Sequence, residues 1–488
     1  MGELIPNWLL QRSYLTPNRT ALVFNGQTWT FQELKDTVHN LAMKVAGYSV
    51  TQHSRVAILV KNRPSTVFLI HALQMIGAEI VFLNSRLTAS ELSYQIKDSE
   101  TTVLFYDHDF DSSVKDLEKL CSQLKTCSIE NLTMSEKYSV NIRNEFNLDE
   151  ICSIMYTSGT TGKPKGVLQT YGNHWWSSTG SSLNLGLQAN DAWLCTVPIF
   201  HISGLSILMR SVIYGIPVFL MEEFNEKQAN SLLQSGKITI MSVVTVILNR
   251  MLTVLKDETY HENFRCMLIG GGPAPLPLLE KCALKKIPVF QTYGMTETSS
   301  QIVTLSPEDS FVKLGSAGKP LFPAQIKIVR TDGTEANARE TGEISLKGPN
   351  ITPGYLNRKQ SFHDGWFLTG DLGYLDEDGF LYVQDRRSDL IISGGENVYP
   401  AEIEAVLMAH DAVDEAGVTG ISDSTWGQVA YAFIVGQNVS EEELLQFCQA
   451  RLASYKIPKR IIQVKELPRN ASNKLVRDKL RLLIEGRE

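Results

Sequence analysis

Residues 151–167 read ICSIMYTSGTTGKPKGV, an apolar run from Ile151 to Met155 that empties into hydroxyls, glycines and the lysines Lys163 and Lys165. A short buried strand leading into a donor-rich loop is how a chain presents backbone N–H groups to phosphate oxygens. The familiar alternative is the Walker loop, which needs four residues between its glycines and a Ser or Thr after its lysine. Here only Thr160 and Thr161 separate Gly159 from Gly162, and Lys163 precedes Pro164. Proline lacks an N–H and disfavours helix at the residue before it, so this lysine does not open a helix. The loop is expected to hold phosphates in some other geometry. A flexible surface loop accounts for most Gly- and Ser-rich stretches. The concentration of hydroxyls, glycines and lysines behind one strand argues for a ligand here.

Outward from this strand, the runs RVAILV, AEIVFL and TTVLFY between about 55 and 107 alternate with helical patterns such as PSTVFLIHALQMIG. That alternation predicts βαβ units on a parallel sheet. The rhythm returns from 190 to 295 in DAWLCTVPIF, GIPVFLM, ITIMSVV, RCMLIGGG and PVFQTYG. From about 315 to 387 the texture changes to short β runs, with Asp378-Gly379 as a hairpin-turn signal. After Arg387 it changes again: helix from Pro400 to Ala409, two strand-like runs, helix from Glu441 to Leu452, the run IIQVKEL and a final amphipathic helix. The expected fold is α/β, with a large N-terminal domain over 1–387 that includes a β subdomain, and a small α+β domain over 388–488. The candidate hinge is QDRRSDLIISGG, charged before and glycine-rich after.

The chain has 488 residues, 43% hydrophobic and 20% charged, which is a globular composition too long for one ordinary core. A formal net charge of −7 disfavours a broad nucleic-acid or anionic-membrane surface. The start, MGELIPNWLLQRS, places Glu3, Pro6 and Asn7 where a secretory signal needs an apolar core, and no apolar run reaches spanning length. The expected location is the cytoplasm, without membrane insertion. Seven scattered cysteines without a CxxC pair argue against a disulfide framework and a zinc site. Assembly into a homo-oligomer is left open.

Other segments carry chemistry, each beside a plainer reading. GGGPAPL at 270–276 and QTYGMTETSS at 291–300 put glycines, an aromatic ring and a carboxylate after strands, where open α/β sheets bind ligands. Alone, the first is a tight turn and Glu297 an ordinary helix-start acid. Asp371 in a Thr-Gly-Asp turn can accept ribose hydroxyls or simply cap the turn. Arg386 suits ribose or phosphate oxygens, and Lys474 is otherwise a solvated helix-start residue. His201, read as ending an apolar strand, is by default hydrogen-bonded filler. Trp175 and Trp176 are by default core or rim aromatics.

The order of these segments, from the phosphate loop through PIFH, GGGP, TYGMTE, TGD and DRRSD…GGEN to the late Asn473-Lys474, resembles the adenylate-forming acyl-CoA synthetase family. That superfamily includes peptide-synthetase adenylation domains and luciferases, and the resemblance covers nearly the whole chain. It implies that a small-molecule carboxylic acid attacks the α-phosphorus of ATP, giving an acyl-adenylate and pyrophosphate. CoA then takes the acyl group and AMP leaves. Carried onto this sequence, the phosphates would be held by Thr157, Ser158, Gly159, Thr160, Thr161, Gly162, Lys163 and Lys165, with Mg²⁺ on Glu297. The adenine side would comprise Gly271, Gly272, Pro273, Thr292, Tyr293, Gly294 and Thr296, and the ribose would sit on Asp371 and Arg386. Lys474, delivered by a mobile C-terminal domain, would bridge carboxylate and nucleotide. Gly394 and Gly395 would line the CoA path after the domain swings about Ser388 and Asp389. His201, Trp175, Gly204, Arg210, Gly270 and Met295 would surround the acid.

Within the family, QTYGNHWWSS together with FHISGLSILMRSVIYG is most similar to members that act on o-succinylbenzoate in menaquinone biosynthesis. That acid needs apolar walls and a donor for its second carboxylate. Arg210 is the candidate donor, against a plain reading that puts it on the helix surface. A CoA ligase for a benzoate or a medium-chain fatty acid is the nearest rival, and a catalytically idle nucleotide-binding module is the rival of another class. Two positions depart from the family pattern. Ser388 stands where an acid or lysine is frequent, which moves attention to Asp389, and Asn473 replaces the glycine before the late lysine, where Asn tolerates left-handed backbone.

Overall fold

The computed structural model describes residues 2–157, 164–272, 274–358, 362–386, 389–393, 396–423, 426–437, 439–452, 454–470 and 474–485. The apolar runs that open the chain's α/β rhythm form a six-stranded sheet in the order 165–170, 151–157, 79–82, 55–59, 103–106, 125–128. Strand β1 (Ile151–Thr157) and the four strands beyond it run parallel. Strand β2 (Lys165–Thr170) returns antiparallel to β1, with Thr157 opposite Lys165 at the open end. The phosphate loop therefore joins two strands of a hairpin, and no helix follows its lysine as a Walker loop requires. Val56 to Leu59 are buried on both faces of the sheet, the continuous apolar run that a covered parallel strand needs.

Strand β2 passes directly into helix α1 (Tyr171–Leu185). Thr170 Oγ1 accepts the N–H of Asn173 at 3.0 Å, and Asn173 Oδ1 accepts the N–H of Thr170 at 2.9 Å, a reciprocal cap that fixes where the strand turns into helix.

A nine-stranded sheet takes the second α/β stretch, in the order 319–320, 300–305, 289–295, 266–270, 240–244, 193–195, 218–220, 20–24, 27–30. The strand expected over DAWLCTVPIF is only Trp193–Cys195, because Pro198 cannot donate to a ladder. His201 consequently does not end a strand. It occupies the N-cap position of helix α2 (Ile202–Tyr214), in extended backbone. Strands β3 (Cys266–Gly270) and β4 (Val289–Met295) lie parallel and adjacent, so the GGG and TYG motifs leave the same sheet edge. One apolar core lies between the two sheets and includes Ile58, Phe105, Trp193, Cys195 and Leu208. Fully burying each such large side chain stabilises the fold by about 1.5–3 kcal/mol.

The β texture after 315 folds into a five-stranded antiparallel sheet around Ile344, Leu346, Phe367 and Leu381. Its hairpin of β5 (Trp366–Leu375) and β6 (Leu381–Arg386) turns at Asp376–Gly379, where Gly379 has φ +80 and donates to the Asp376 carbonyl at 3.0 Å. The register sets Asp371 opposite Arg386. Residues 391–463 contribute a separate five-stranded sheet with its own core of Val398, Ile403, Leu407, Val418, Ala432 and Cys448. The helix at Pro400 runs to Met408; the one at Glu441 ends at Gln449, short of Leu452, whose N–H turns back to Cys448. Among the described residues no helix is long and apolar enough to cross a membrane. The architecture is the expected α/β body with a β sheet appended and a small α+β unit after it.

Candidate functional site

The stems of the phosphate loop are anchored on both sides. Tyr156 Oη donates to Asp98 Oδ2 at 2.8 Å, and the Pro164 carbonyl accepts from Arg358 Nη2 at 2.9 Å and Tyr94 Oη at 3.3 Å. Gly166 is closely packed: a Cβ there would lie 3.2 Å from Tyr156 Cζ and 3.3 Å from Leu356 Cβ. Residues 352–356 run along β2, with the Leu356 N–H on the Gly166 carbonyl at 2.8 Å and the Leu168 N–H on the Gly354 carbonyl at 3.1 Å. Ser158, Gly159, Thr160, Thr161, Gly162 and Lys163 lie outside the described residues, as do Pro273, Ser388, Gly394, Gly395 and the side chain of Arg386.

Glu297 sits in the single turn Thr296–Thr298 that follows β4. Its Oε1 accepts from Tyr355 Oη at 2.9 Å, and its backbone carbonyl accepts the N–H of Thr352 at 2.7 Å. The turn is also tied to the phosphate-loop hairpin: Gln169 Nε2 donates to the Thr296 carbonyl at 2.8 Å, and Gln169 Oε1 accepts from Ser153 Oγ at 2.7 Å. Ser153 Oγ lies 2.9 Å from Nε2 of His174, whose pKa burial pushes down to about 3, with the Arg210 charge adding to the effect. No cluster of three or more His, Cys, Asp or Glu is present among the described residues. Mg²⁺ asks for less, one or two carboxylates plus phosphate and water oxygens, and a single braced carboxylate beside a phosphate loop fits it.

The residues expected on the nucleotide side come together from two sheets. Tyr293 on β4 donates its hydroxyl to Asp371 Oδ2 on β5 at 2.8 Å, and the N–H of Asp371 is held by Thr369 Oγ1 at 3.1 Å. Burial first, and the neighbouring Asp371 second, raise the Tyr293 pKa well above its ordinary value, so the phenol stays a donor. Thr292 Oγ1 bonds back to the Ile269 carbonyl at 3.1 Å, joining the ends of β3 and β4. Gly271 has φ +87, and a side chain there would meet only Val244, leaving the backbone open to a planar ligand. Gly294 is fixed for the opposite reason, since a Cβ would fall 2.2 Å from the Ser300 carbonyl.

On the expected acid side, His201 is half-buried, and its Nε2 is buried with no hydrogen-bond partner among the described residues. Burial first, and the charges of Arg86 and Lys474 after it, lower its pKa to about 4. The imidazole is therefore neutral at physiological pH. Lys474 is anchored through its backbone, its N–H on Asn470 Oδ1 at 2.9 Å and its carbonyl on the Asn470 N–H at 2.8 Å. Gly204, one turn into α2, leaves no room for a side chain, because a Cβ would lie 2.3 Å from the Pro198 carbonyl. Gly270 closes β3 with Thr292 Oγ1 only 3.3 Å from where its Cβ would be.

Arg210 is not on the helix surface. It is 1% exposed, with its guanidinium 5.3 Å from the Trp193 ring and its Nε and Nη2 without partners among the described residues. Trp175 packs against the main core, Met295 packs with Tyr293 against the β-sheet core that follows, and Trp176 faces Phe322 and Pro323. At the expected hinge, Asp389 accepts from Arg477 Nη1 at 3.3 Å, and Arg477 Nη2 also bonds Glu404 at 2.7 Å. Tyr355, Arg358 and Gln169 are the residues that sequence reasoning missed. The only signal was the Pro-Gly turn before Tyr355, which says nothing about a contact with residues far away in the chain.

The AMP-binding enzyme family matches residues 10–356, and its C-terminal domain matches residues 402–474. The chain is 56% identical to a 2-succinylbenzoate–CoA ligase of Geobacillus sp. (strain WCH70), over 100% of this chain and 99% of that protein. The o-succinylbenzoate CoA synthetase of Bacillus subtilis has the same fold. In complex with the acyl-adenylate OSB-AMP it superposes with a TM-score of 0.93, at 48% identity over 98% of each chain. In complex with ATP and magnesium ion the TM-score is 0.93, at 49% identity over 98% of this chain and 100% of that one. A double mutant of the same enzyme bound to the product analogue OSB-NCoA gives 0.77, at 48% identity over 98% of this chain and 99% of that one. The present arrangement is thus closer to the ATP and adenylate complexes than to the product-analogue complex.

Proposed function

The chain belongs to the AMP-binding enzyme family, and from that membership we propose that it joins 2-succinylbenzoate to coenzyme A while ATP is cleaved to AMP and pyrophosphate. It is an AMP-forming acid–thiol ligase that uses ATP, Mg²⁺ and CoA. The acid belongs to menaquinone biosynthesis, and the cytoplasm is the compartment we assign to the reaction. The observation that carries the reading is the 2.8 Å bond from Tyr293 to Asp371, which brings the TYGMTE and TGD motifs from separate sheets into one site.

In the first half-reaction the acid carboxylate attacks the α-phosphorus and pyrophosphate leaves. Charge accumulates on phosphoryl oxygens, so positioning and cationic stabilisation dominate the catalysis. Thr157, the loop beyond it and Lys165 hold the β- and γ-phosphates. Glu297 is the carboxylate for Mg²⁺, which neutralises phosphate charge when bound. Gly271, Gly272 and Tyr293 line the adenine, and Asp371 with Arg386 fixes the ribose. Lys474 places its ammonium between the attacking carboxylate and the nucleotide. The domain over 388–488 then swings about Ser388 and Asp389, bringing Gly394 and Gly395 to the thiol path. The CoA sulfur attacks the acyl carbonyl and AMP leaves. A neutral His201 lines this passage and is poorly suited to act as a base, because a pKa of about 4 lies well below the operating pH.

Arg210 supplies the charge complementary to the carboxylate of 2-succinylbenzoate that does not react. A buried guanidinium with two unpartnered nitrogens matches a planar anion and has no use for a monoacid. The test is pyrophosphate release from MgATP with 2-succinylbenzoate, benzoate and octanoate in parallel, each with and without CoA. Turnover that depends on CoA and is confined to 2-succinylbenzoate is the expected result. Preference for another acid would keep the mechanism and discard the pathway, and no release with any acid would return the chain to the idle-module reading.

A further inference from the structure

Tyr355 reaches both Glu297 and Lys165 from a segment that none of the sequence motifs contains. Its hydroxyl donates to Glu297 Oε1 at 2.9 Å, while Lys165 Nζ lies 5.3 Å from its ring centroid. The backbone makes the placement rigid. Tyr355 pairs with Val167 as an isolated antiparallel bridge on β2, flanked by the Leu356 to Gly166 and Leu168 to Gly354 hydrogen bonds. Thr352 completes the link, its N–H on the Glu297 carbonyl at 2.7 Å and its Oγ1 on the Leu168 carbonyl at 2.5 Å. One short segment thus sets the distance between a carboxylate on the second sheet and a lysine on the first.

We propose that Tyr355 is a positioning residue for adenylation, its hydroxyl orienting the Glu297 carboxylate toward Mg²⁺ and its ring steadying Lys165 toward the phosphates. The proposal rests on the reading of Glu297 as the metal carboxylate and Lys165 as a phosphate ligand. A carboxylate has two oxygens and free rotation about its last bond. Donation to one of them limits how the carboxylate can turn, and loss of such an outer partner typically costs about 10- to 100-fold in metal affinity. The ring contributes separately, as a cation over an aromatic face is attracted without being desolvated by a counter-charge.

The experiment is calorimetric titration of ATP without acid, so that nothing turns over, in the presence and absence of Mg²⁺, on the wild type, Tyr355→Phe, Tyr355→Leu, Glu297→Gln and the Phe/Gln double variant. Tyr355→Phe keeps the ring and loses the hydroxyl. It is expected to lose about 10-fold of the Mg²⁺-dependent tightening while metal-free ATP affinity stays within about twofold. Tyr355→Leu is expected to weaken metal-free ATP as well. The double variant is expected to match Glu297→Gln, since the hydroxyl acts only through the carboxylate. If Glu297→Gln keeps the full Mg²⁺ effect, the reading of Glu297 fails. If Glu297→Gln loses it and Tyr355→Phe does not, the role of Tyr355 alone is overturned. Should Tyr355→Phe not fold, 3-fluorotyrosine placed at 355 retains the hydroxyl. Its ¹⁹F resonance is expected to move when Mg²⁺ is added to the ATP complex, and to stay still in the Glu297→Gln background; no movement in the wild-type background would overturn the proposal.

Discussion

Lys474→Ala is expected to slow adenylate formation by about 100- to 1000-fold, the scale set by deleting one preorganised donor from a charged transition state. Thioester formation from supplied acyl-adenylate and CoA should stay within about threefold of wild type, because the lysine is proposed to act only in the first half-reaction. The expectation follows from where the residue sits. Its backbone is locked to Asn470, and its charge reaches His201 on the other domain, as an adenylation arrangement requires. Arginine should not restore the rate, since a fork of five donors on a plane does not replace a compact ammonium between two oxygens. Pyrophosphate release and single-turnover thioester formation, measured side by side, decide it. Equal loss in both steps would end the division of labour assigned to the two domain positions.

Arg210→Met is expected to make the protein less selective and more stable at once. The guanidinium is 1% exposed, stacked near Trp193, with Nε and Nη2 unpartnered among the described residues. A buried charge short of partners is costly, and an apolar side chain of similar length relieves that cost. The thermal midpoint should rise by about 1 °C for each kcal/mol gained in a chain of this size. Without the cation, the second carboxylate of 2-succinylbenzoate would enter an uncompensated site, and its KM should rise by about 100-fold or more. A monocarboxylic acid should lose nothing. The same substitution lowering stability, with the KM for 2-succinylbenzoate unchanged, would remove Arg210 from the acid site.

The fold was legible where periodicity is strong. The runs around Ile58, Val81 and Phe105 are apolar on both faces because helices cover the parallel sheet, and such continuous runs stand out in a sequence. That no helix follows the loop lysine could be read from Pro164, whereas the antiparallel pairing of the two flanking strands could not. What misled was local: the apolar run before His201 looks like strand, yet Pro198 breaks the ladder and hands His201 to a helix start. The motif chemistry was legible in kind, since Tyr293, Asp371 and Glu297 carry functional groups that mean something near a nucleotide. Their partnerships were not. That Tyr293 bonds Asp371, or that Tyr355 braces Glu297, depends on two sheets meeting at particular registers, and no spacing within either segment encodes it. Arg210 was ambiguous for the same reason, as one arginine in an apolar helix reads equally as surface charge or buried anion receptor until its neighbours from α1, β3 and the strand at Trp193 are in place.

The most direct test of the account is a single-turnover mass measurement with 2-succinylbenzoate, MgATP and enzyme in excess, before and after CoA is added. The account predicts an acyl-adenylate and pyrophosphate before CoA, and conversion of that adenylate to the CoA thioester and AMP after it. Appearance of ADP and phosphate, or of thioester without any preceding adenylate, would contradict it.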